Sequence, residues 1–212
     1  MKIGVSLLGT IGLLGLSSAA LAQTPPARTG FQMDIRTGYS VPMGSAQANV
    51  DLSNMVSGQV PIFVDIGAKL IPQLFIGGYF GLGIGGAGGT SKDACNANGW
   101  DCSAVTVHIG VEAQYHILPA GFVNPWVGYG LGYESLGLAT SKNGVTNSTS
   151  VGGFEFARFM GGADFRVSRV FGVGPFVDLS MATYSSGSNG ATIQNTATHE
   201  WLTLGARFVF FP

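Results

Sequence analysis

The sequence predicts an all-β protein, an eight-stranded antiparallel up-and-down transmembrane β-barrel. Eight segments alternate apolar and polar residues with a period of two, the side-chain period of a strand and not of a helix. Nearly every charge inside those segments falls on the polar face, so one face suits lipid and the other suits an enclosed interior. The connections between segments alternate in length, as they do when strands run up and down through a bilayer.

The N-terminus reads as an export signal. Lys2 is followed by an apolar run from Ile3 to Leu16, broken by glycines, and then by Ala20-Leu21-Ala22. A positive start, a short apolar stretch and a small-x-small site make residues 1–22 a secretory signal peptide cleaved before Gln23. A membrane-spanning helix would need roughly 20 uninterrupted apolar residues, and this run is shorter and leads into Gln23-Thr24-Pro25-Pro26. No cysteine follows the cleavage site, which argues against a lipoprotein anchor. Residues 23–29 are then a short periplasmic segment and 30–212 the outer-membrane barrel domain, a single domain in a mature chain of about 190 residues.

The first segment places Phe31, Met33, Ile35, Tyr39 and Val41 on one face and Gln32, Asp34, Arg36 and Ser40 on the other. In the second, Ile62, Val64, Ile66, Ala68 and Leu70 oppose Phe63, Asp65, Gly67 and Lys69. The third sets Leu74, Ile76, Phe80, Leu82 and Ile84 against Phe75, Gly77, Tyr79, Gly81 and Gly83. The fourth, Val105 to Ile117, carries Thr106, His108, Gly110, Glu112, Gln114 and His116 on its polar face. The fifth, Trp126 to Leu136, opposes Val127, Tyr129, Leu131 and Tyr133 with Trp126, Gly128, Gly130, Gly132 and Glu134. The sixth, Phe156 to Val167, has Arg158, Met160, Gly162, Asp164 and Arg166 against Ala157, Phe159, Ala163, Phe165 and Val167. The seventh, Val170 to Met181, has Gly172, Gly174, Phe176, Asp178 and Ser180 against Phe171, Val173, Val177, Leu179 and Met181. In the eighth, Trp201, Thr203, Gly205, Arg207 and Val209 oppose Leu202, Leu204, Ala206, Phe208 and Phe210. Glu155 and Glu200 fall just outside these limits, at the expected upper rim. Pro175 lies mid-strand on the apolar face and cannot donate to a ladder, so a bulge is expected there.

Short links at Ile71-Pro72-Gln73, Leu118 to Pro125 and Ser168-Arg169 are expected to face the periplasm, with both termini. The long links around Gly44 to Ser57, Gly86 to Ser103, Ala139 to Gly152 and Tyr184 to Thr198 are expected to be extracellular loops. Cys95 and Cys102 sit in the second of these, among turn-forming residues, and are expected to pair as a disulfide after export.

A soluble barrel with the apolar face inward is the rival reading, and glycine placement argues against it. Of 34 glycines in 212 residues, more than twice the usual share of roughly 7%, those inside strands fall mostly on the charged face. Small residues relieve crowding in a narrow barrel but would weaken a solvent-facing strand. Net charge is −1, which implies no nucleic-acid partner. The polar faces point Asp34, Arg36, Asp65, Lys69, Glu112, Glu134, Arg158, Asp164, Arg166, Asp178 and Arg207 into the lumen, with the two signs nearly balanced. Counting from the short turns, Glu134 and Asp178 should bracket Arg158, and Arg36 and Arg207 should meet Asp65, Glu112 or Asp164.

No catalytic, cofactor-binding or metal signature emerges. His108, Glu112 and His116 look like a ligand set in one dimension, but four residues of strand span roughly 13 Å, too far for the three to share one ion. His199 lies beside Glu200 near serines and threonines, which is a composition and not a triad. The glycine run Gly81 to Gly89 lacks the Gly-Lys-Ser/Thr of a phosphate loop.

At the C-terminus, Gly205-x-x-Phe208-x-Phe210 resembles the terminal signal of bacterial outer-membrane barrels. Asn124-Pro125-Trp126-Val127-Gly128-Tyr129-Gly130-Leu131-Gly132-Tyr133 and Phe171-Gly172-Val173-Gly174-Pro175-Phe176-Val177 resemble strands of the small opacity/OmpX-like, porin-family barrels. Two departures are Leu204, where a polar residue is usual, and an end at Phe210-Phe211-Pro212 instead of a terminal aromatic. The resemblance implies residence in outer-membrane lipid as a monomer, insertion by the barrel-assembly machinery through Gly205, Phe208 and Phe210, and functions from adhesion to solute passage. Three classes stay open: a surface or structural protein acting through its loops on an extracellular partner, a narrow conduit for small solutes, and an outer-membrane lipid-modifying enzyme. The first is favoured, as a non-enzyme.

A closed strand ladder resists unfolding in detergent until its inter-strand bonds fail together. Heated and unheated protein should therefore migrate differently on a denaturing gel. Equal mobility with helical circular dichroism would end the barrel reading.

Overall fold

The strand-forming alternation closes on itself. A computed structural model describes residues 29–210 of the chain, so the signal peptide, most of the 23–29 segment and Phe211-Pro212 lie outside the described residues. The elements are β1 Gly30–Gln47, β2 Val50–Asp51, α1 Leu52–Met55, β3 Val56–Ile71, β4 Leu74–Ala87, α2 Gly89–Asn98, β5 Asp101–His116, β6 Val123–Lys142, β7 Val145–Arg166, β8 Phe171–Gly187 and β9 Thr198–Phe210. β1 and β3 to β9 pair antiparallel in chain order, and β9 closes on β1 from Met33↔Phe210 to Gly44↔His199. β2 is a short addition to the end of β1. Closure leaves this eight-stranded ring without a free edge, which lipid would not tolerate.

Alternation then sorts the side chains. Phe80, Ile109, Val127, Phe159 and Leu204, from five different strands, point outward and are 49–60% exposed. The charged face turns inward and is buried. Lumen glycines make room for rings. A Cβ on Gly81 would lie 2.2 Å from the Phe63 ring, and one on Gly110 or Gly132 would lie 2.5 Å from Tyr79.

Several sequence expectations are corrected. Strands run well beyond the alternating segments at the long-loop end. The stretch Ala139 to Gly152, expected as a loop, is mostly a paired ladder that includes Ala139↔Ser148 and Lys142↔Val145. Its turn is Asn143-Gly144, with φ of 51° and 79°, the left-handed pair that a two-residue hairpin needs. The Cys95 stretch is helical: α2 ends at Gly99, left-handed at φ 61°, and the Cys95–Cys102 disulfide ties its last turn to the start of β5. Pro175 makes no bulge. The pairs Gly162↔Phe176 and Phe165↔Val173 on either side of it keep one register, because its nitrogen, which cannot donate, sits where the β7 ladder is simply interrupted.

Register shifts fall elsewhere: at Ser45/Gln47 between β1 and β2, at Val56/Gly58 and Lys69/Ile71 between β3 and β4, and, on β7, at Gly130/Gly132 against β6 and at Gly152/Gly153 and Glu155/Ala157 against β8. This irregularity changes which side chains of β7 face inward. Below it Arg158, Met160 and Asp164 are buried; above it Gly153 and Glu155 are. Glu155, expected at the rim, is fully buried in the lumen.

Phe63 lies against Arg36 and Arg158, so its ring has no room to give. Gly81→Ala should then cost about 1–3 kcal/mol through overpacking. Gly137→Ala, whose new Cβ meets nothing nearer than 3.7 Å, should be neutral. The temperature at which the gel shift occurs reads both.

Candidate functional site

Three arginines organise the interior, each at its own level. Arg36 on β1 is the central one. It grips Asp65 with two nitrogens, at 2.6 and 2.9 Å, and reaches Asp178 on β8 at 2.8 Å and Glu112 on β5 at 3.4 Å. Toward the short-turn end, Arg207 on β9 donates to Asp34 and to Gln114, both at 2.6 Å, and meets Asp164 at 3.4 Å. Its guanidinium lies over the Trp126 ring, 4.1 Å from the centroid. Toward the long-loop end, Arg158 on β7 donates to Glu155 at 2.8 Å and approaches Asp178 at 3.4 Å. The Phe63 and Tyr79 rings lie 4.3 and 4.7 Å from it, within reach of the cation–π attraction.

The structure brings most of the expected ionic residues together, though not in all the expected pairs. Arg36 meets Asp65 and Glu112, and Arg207 meets Asp164. Arg158 is bracketed by Asp178 and Glu155, not by Asp178 and Glu134. Glu134 sits higher, where its Oε1 accepts from the Tyr184 hydroxyl, from Trp201 Nε1 at 3.0 Å and from His199 Nε2 at 3.3 Å. The β6–β7 register, which pairs Arg158 with Gly130 and Glu134 with Gly153, sets the two at different levels. Arg166 is half-buried at the short-turn end and donates to the Pro119 carbonyl at 2.6 Å, and Lys69 is buried near the same end. Gly205 faces the lumen, its missing Cβ leaving room for the Thr37 carbonyl. Phe210 packs outside on Phe171, with centroids 5.4 Å apart, and Phe208 lies on the same outer face.

Glu155 also upsets the expected balance. Among the described residues, Asp34, Asp65, Glu112, Glu134, Glu155, Asp164 and Asp178 are buried against Arg36, Arg158, Arg207 and Lys69. Acid exceeds base even when Arg166 is counted.

Over the upper ionic level sits an apolar cluster that sequence reading did not anticipate. Leu52 of α1 and Val56 pack with Ala46, Ala104, Leu136, Tyr184 and Trp201, all buried. The signal was the run Val50-x-Leu52-x-x-Met55-Val56, apolar residues in an otherwise polar link. Beyond this cluster, α2 and the ends of β5 to β7 enclose a surface pocket of about 310 Å³ lined by Ala94, Cys95, Trp100, Leu138 and Thr149. Lys142 at the hairpin end donates to the Asn98 carbonyl at 2.5 Å, pinning the helix to the hairpin.

An apolar belt outside, a charged interior and a closed ring of eight antiparallel strands define a transmembrane β-barrel of the outer-membrane type. No protein-family model and no curated protein matches the chain. Among solved structures it is similar to Neisserial surface protein A, at 12% identity over 84% of this chain and 95% of that one, with a TM-score of 0.49. It is also similar to Ail, the attachment invasion locus protein of Yersinia pestis, at 14% identity over 85% and 99%, with a TM-score of 0.47. The outer membrane protein OprG from Pseudomonas aeruginosa matches at 10% identity over 88% and 99%, with a TM-score of 0.47. At such identities the likeness is one of fold.

Arg36→Ala would leave Asp65 and Asp178 buried without their main partner. Loss of one member of a buried ion network costs roughly 3–5 kcal/mol, so the heat-unfolding temperature should fall steeply. Lys142→Ala, an exposed contact, should leave it nearly unchanged. Equal unfolding temperatures for wild type and Arg36→Ala would show that water already solvates the interior.

Proposed function

We propose that this protein is an integral outer-membrane barrel whose lumen is sealed and whose working surface is its extracellular end. The short turns and both termini lie in the periplasm in this reading, and α2, the β6–β7 hairpin and α1 lie outside the cell. The observation that carries it is the stacking of two barriers. An ionic network spans the interior from β1 to β5 and β8, through Arg36 contacts to Glu112 and Asp178, and the apolar cluster around Leu52 caps it. Eight strands enclose a space that side chains can fill, and here arginines stacked on rings occupy it. A solute would have to break buried ion pairs to pass.

The extracellular end, by contrast, is built to present a shape. The strands continue past the apolar belt, the disulfide and the Lys142 contact hold α2 against them, and a pocket lies between. Rigid extensions that carry a recessed surface suit contact with an extracellular partner better than transport. We assign the protein no catalytic step. The C-terminal strand, with Gly205, Phe208 and Phe210, serves insertion by the barrel-assembly machinery, and the barrel works as a monomer in lipid.

Two measurements test this. Purified barrel in planar bilayers should give no conductance steps, whereas steady steps would establish the conduit instead. An epitope inserted between Asn143 and Gly144 should be reached by antibody on intact cells. Detection only after the outer membrane is permeabilised would reverse the orientation.

A further inference from the structure

The upper lumen holds a cluster whose geometry the ionic network does not use up. His108 and Glu134 are direct cross-strand partners on β5 and β6, and the β7 irregularity turns Glu155 in beside them. One ligand atom from each of the three lies within 4.8 Å of the others, and all three residues are buried.

Each carboxylate is anchored on one side only. Glu134 Oε1 takes the Tyr184, Trp201 and His199 donors. Glu155 Oε1 takes Tyr79, at 2.7 Å, and Arg158. The two Oε2 atoms both turn toward the same nitrogen, His108 Nδ1: that of Glu155 lies 2.8 Å from it and that of Glu134 lies 3.9 Å from it. Glu134 Oε2 has no hydrogen-bond partner although its residue is fully buried. A buried carboxylate oxygen without a donor is costly, and this one is aimed into the gap between the other two ligand atoms.

We propose that His108 Nδ1, Glu134 Oε2 and Glu155 Oε2 bind one divalent transition-metal ion of the zinc class. One imidazole and two carboxylates are a donor set that zinc accepts, with an open fourth position. Metal-to-ligand distances of about 2.0–2.2 Å put tetrahedral ligand atoms roughly 3.5 Å apart. The separations of 2.8 and 3.9 Å from His108 straddle that value, and the two carboxylate oxygens lie within 4.8 Å of each other, so small side-chain shifts would bring the three onto one ion. Outer donors that hold the far oxygen of each carboxylate are the usual support of a metal site. Charge favours the ion as well, because buried acid exceeds buried base in this lumen. Arg158 approaches His108 Nδ1 to 3.4 Å, but its charge is shared between Glu155 and Asp178. The ion would tie β5, β6 and β7 together just under the apolar cap. It would also replace the competing arrangement, in which the proton of His108 fills the same gap.

The test uses the purified chain refolded in detergent with zinc chloride, dialysed, and assayed for metal by mass spectrometry. Wild type should retain one zinc per chain. His108→Ala and Glu134→Gln should retain far less, and Asp93→Asn, an exposed carboxylate on α2 outside the cluster, should match wild type. Wild type refolded with cobalt should show the visible absorption of a low-symmetry site, a reading that stands even where the variants fail to fold. Wild type that holds no zinc and no cobalt signal, or triad variants that hold as much zinc as wild type, would overturn the proposal.

Discussion

Lipid offers neither a hydrogen bond nor solvation to a charge, and that constraint shapes everything in this barrel. Backbone groups must be satisfied within the ladder, so the sheet closes. Charged side chains must turn inward, where they are buried among the other lumen groups. They then have only one another. Arg36 is where this resolves: from one strand it engages carboxylates on β3, β5 and β8. The backbone ladder joins each strand only to its neighbours, as β1 to β3, whereas the contacts with Glu112 and Asp178 reach strands that β1 does not pair with. They link non-adjacent strands in a medium where each ion pair is strong and each unpaired charge expensive.

Glycines and aromatic rings are the complement of those charges. Phe63 lies within reach of both Arg36 and Arg158, and Trp126 lies under Arg207. Flat rings hold guanidiniums in place without spending hydrogen-bonding capacity, so the nitrogens stay free for carboxylates. Rings of that size fit in a narrow barrel only where the facing residue has no Cβ, as at Gly81 opposite Phe63. The same glycines that mark the inner face in the sequence are thus the space into which its largest groups fold.

Above the lipid belt other forces take over. Water surrounds the long-loop end, so order there comes from backbone pairing past the belt, from a disulfide and from a helix, and not from a buried ionic network. The two halves meet at the Leu52 cluster, whose apolar residues separate the charged interior from solvent. Glu134 lies directly beneath it, held by Tyr184 and Trp201, which belong to the cluster themselves.

The sequence alone determined the strand number of the ring, most inward and outward faces, the sites of the short turns and most of the ionic residues of the lumen, because alternation and glycine placement are local and period-two. Asn143-Gly144 was also legible as a hairpin turn, but its Ser/Thr/Asn flanks read as loop because exposed strands need no apolar face. What only the tertiary structure decided were the levels at which side chains meet. Strand stagger, which pairs Arg158 with Gly130 and Glu134 with Gly153, set Glu134 above Arg158 and beside His199. The irregularity at Glu155/Ala157 brought into the lumen a carboxylate that simple alternation had left at the rim. A one-residue change of register reverses which face a side chain occupies, and its only local sign is the broken alternation at Phe156-Ala157, which leaves Glu155 and Arg158 three residues apart.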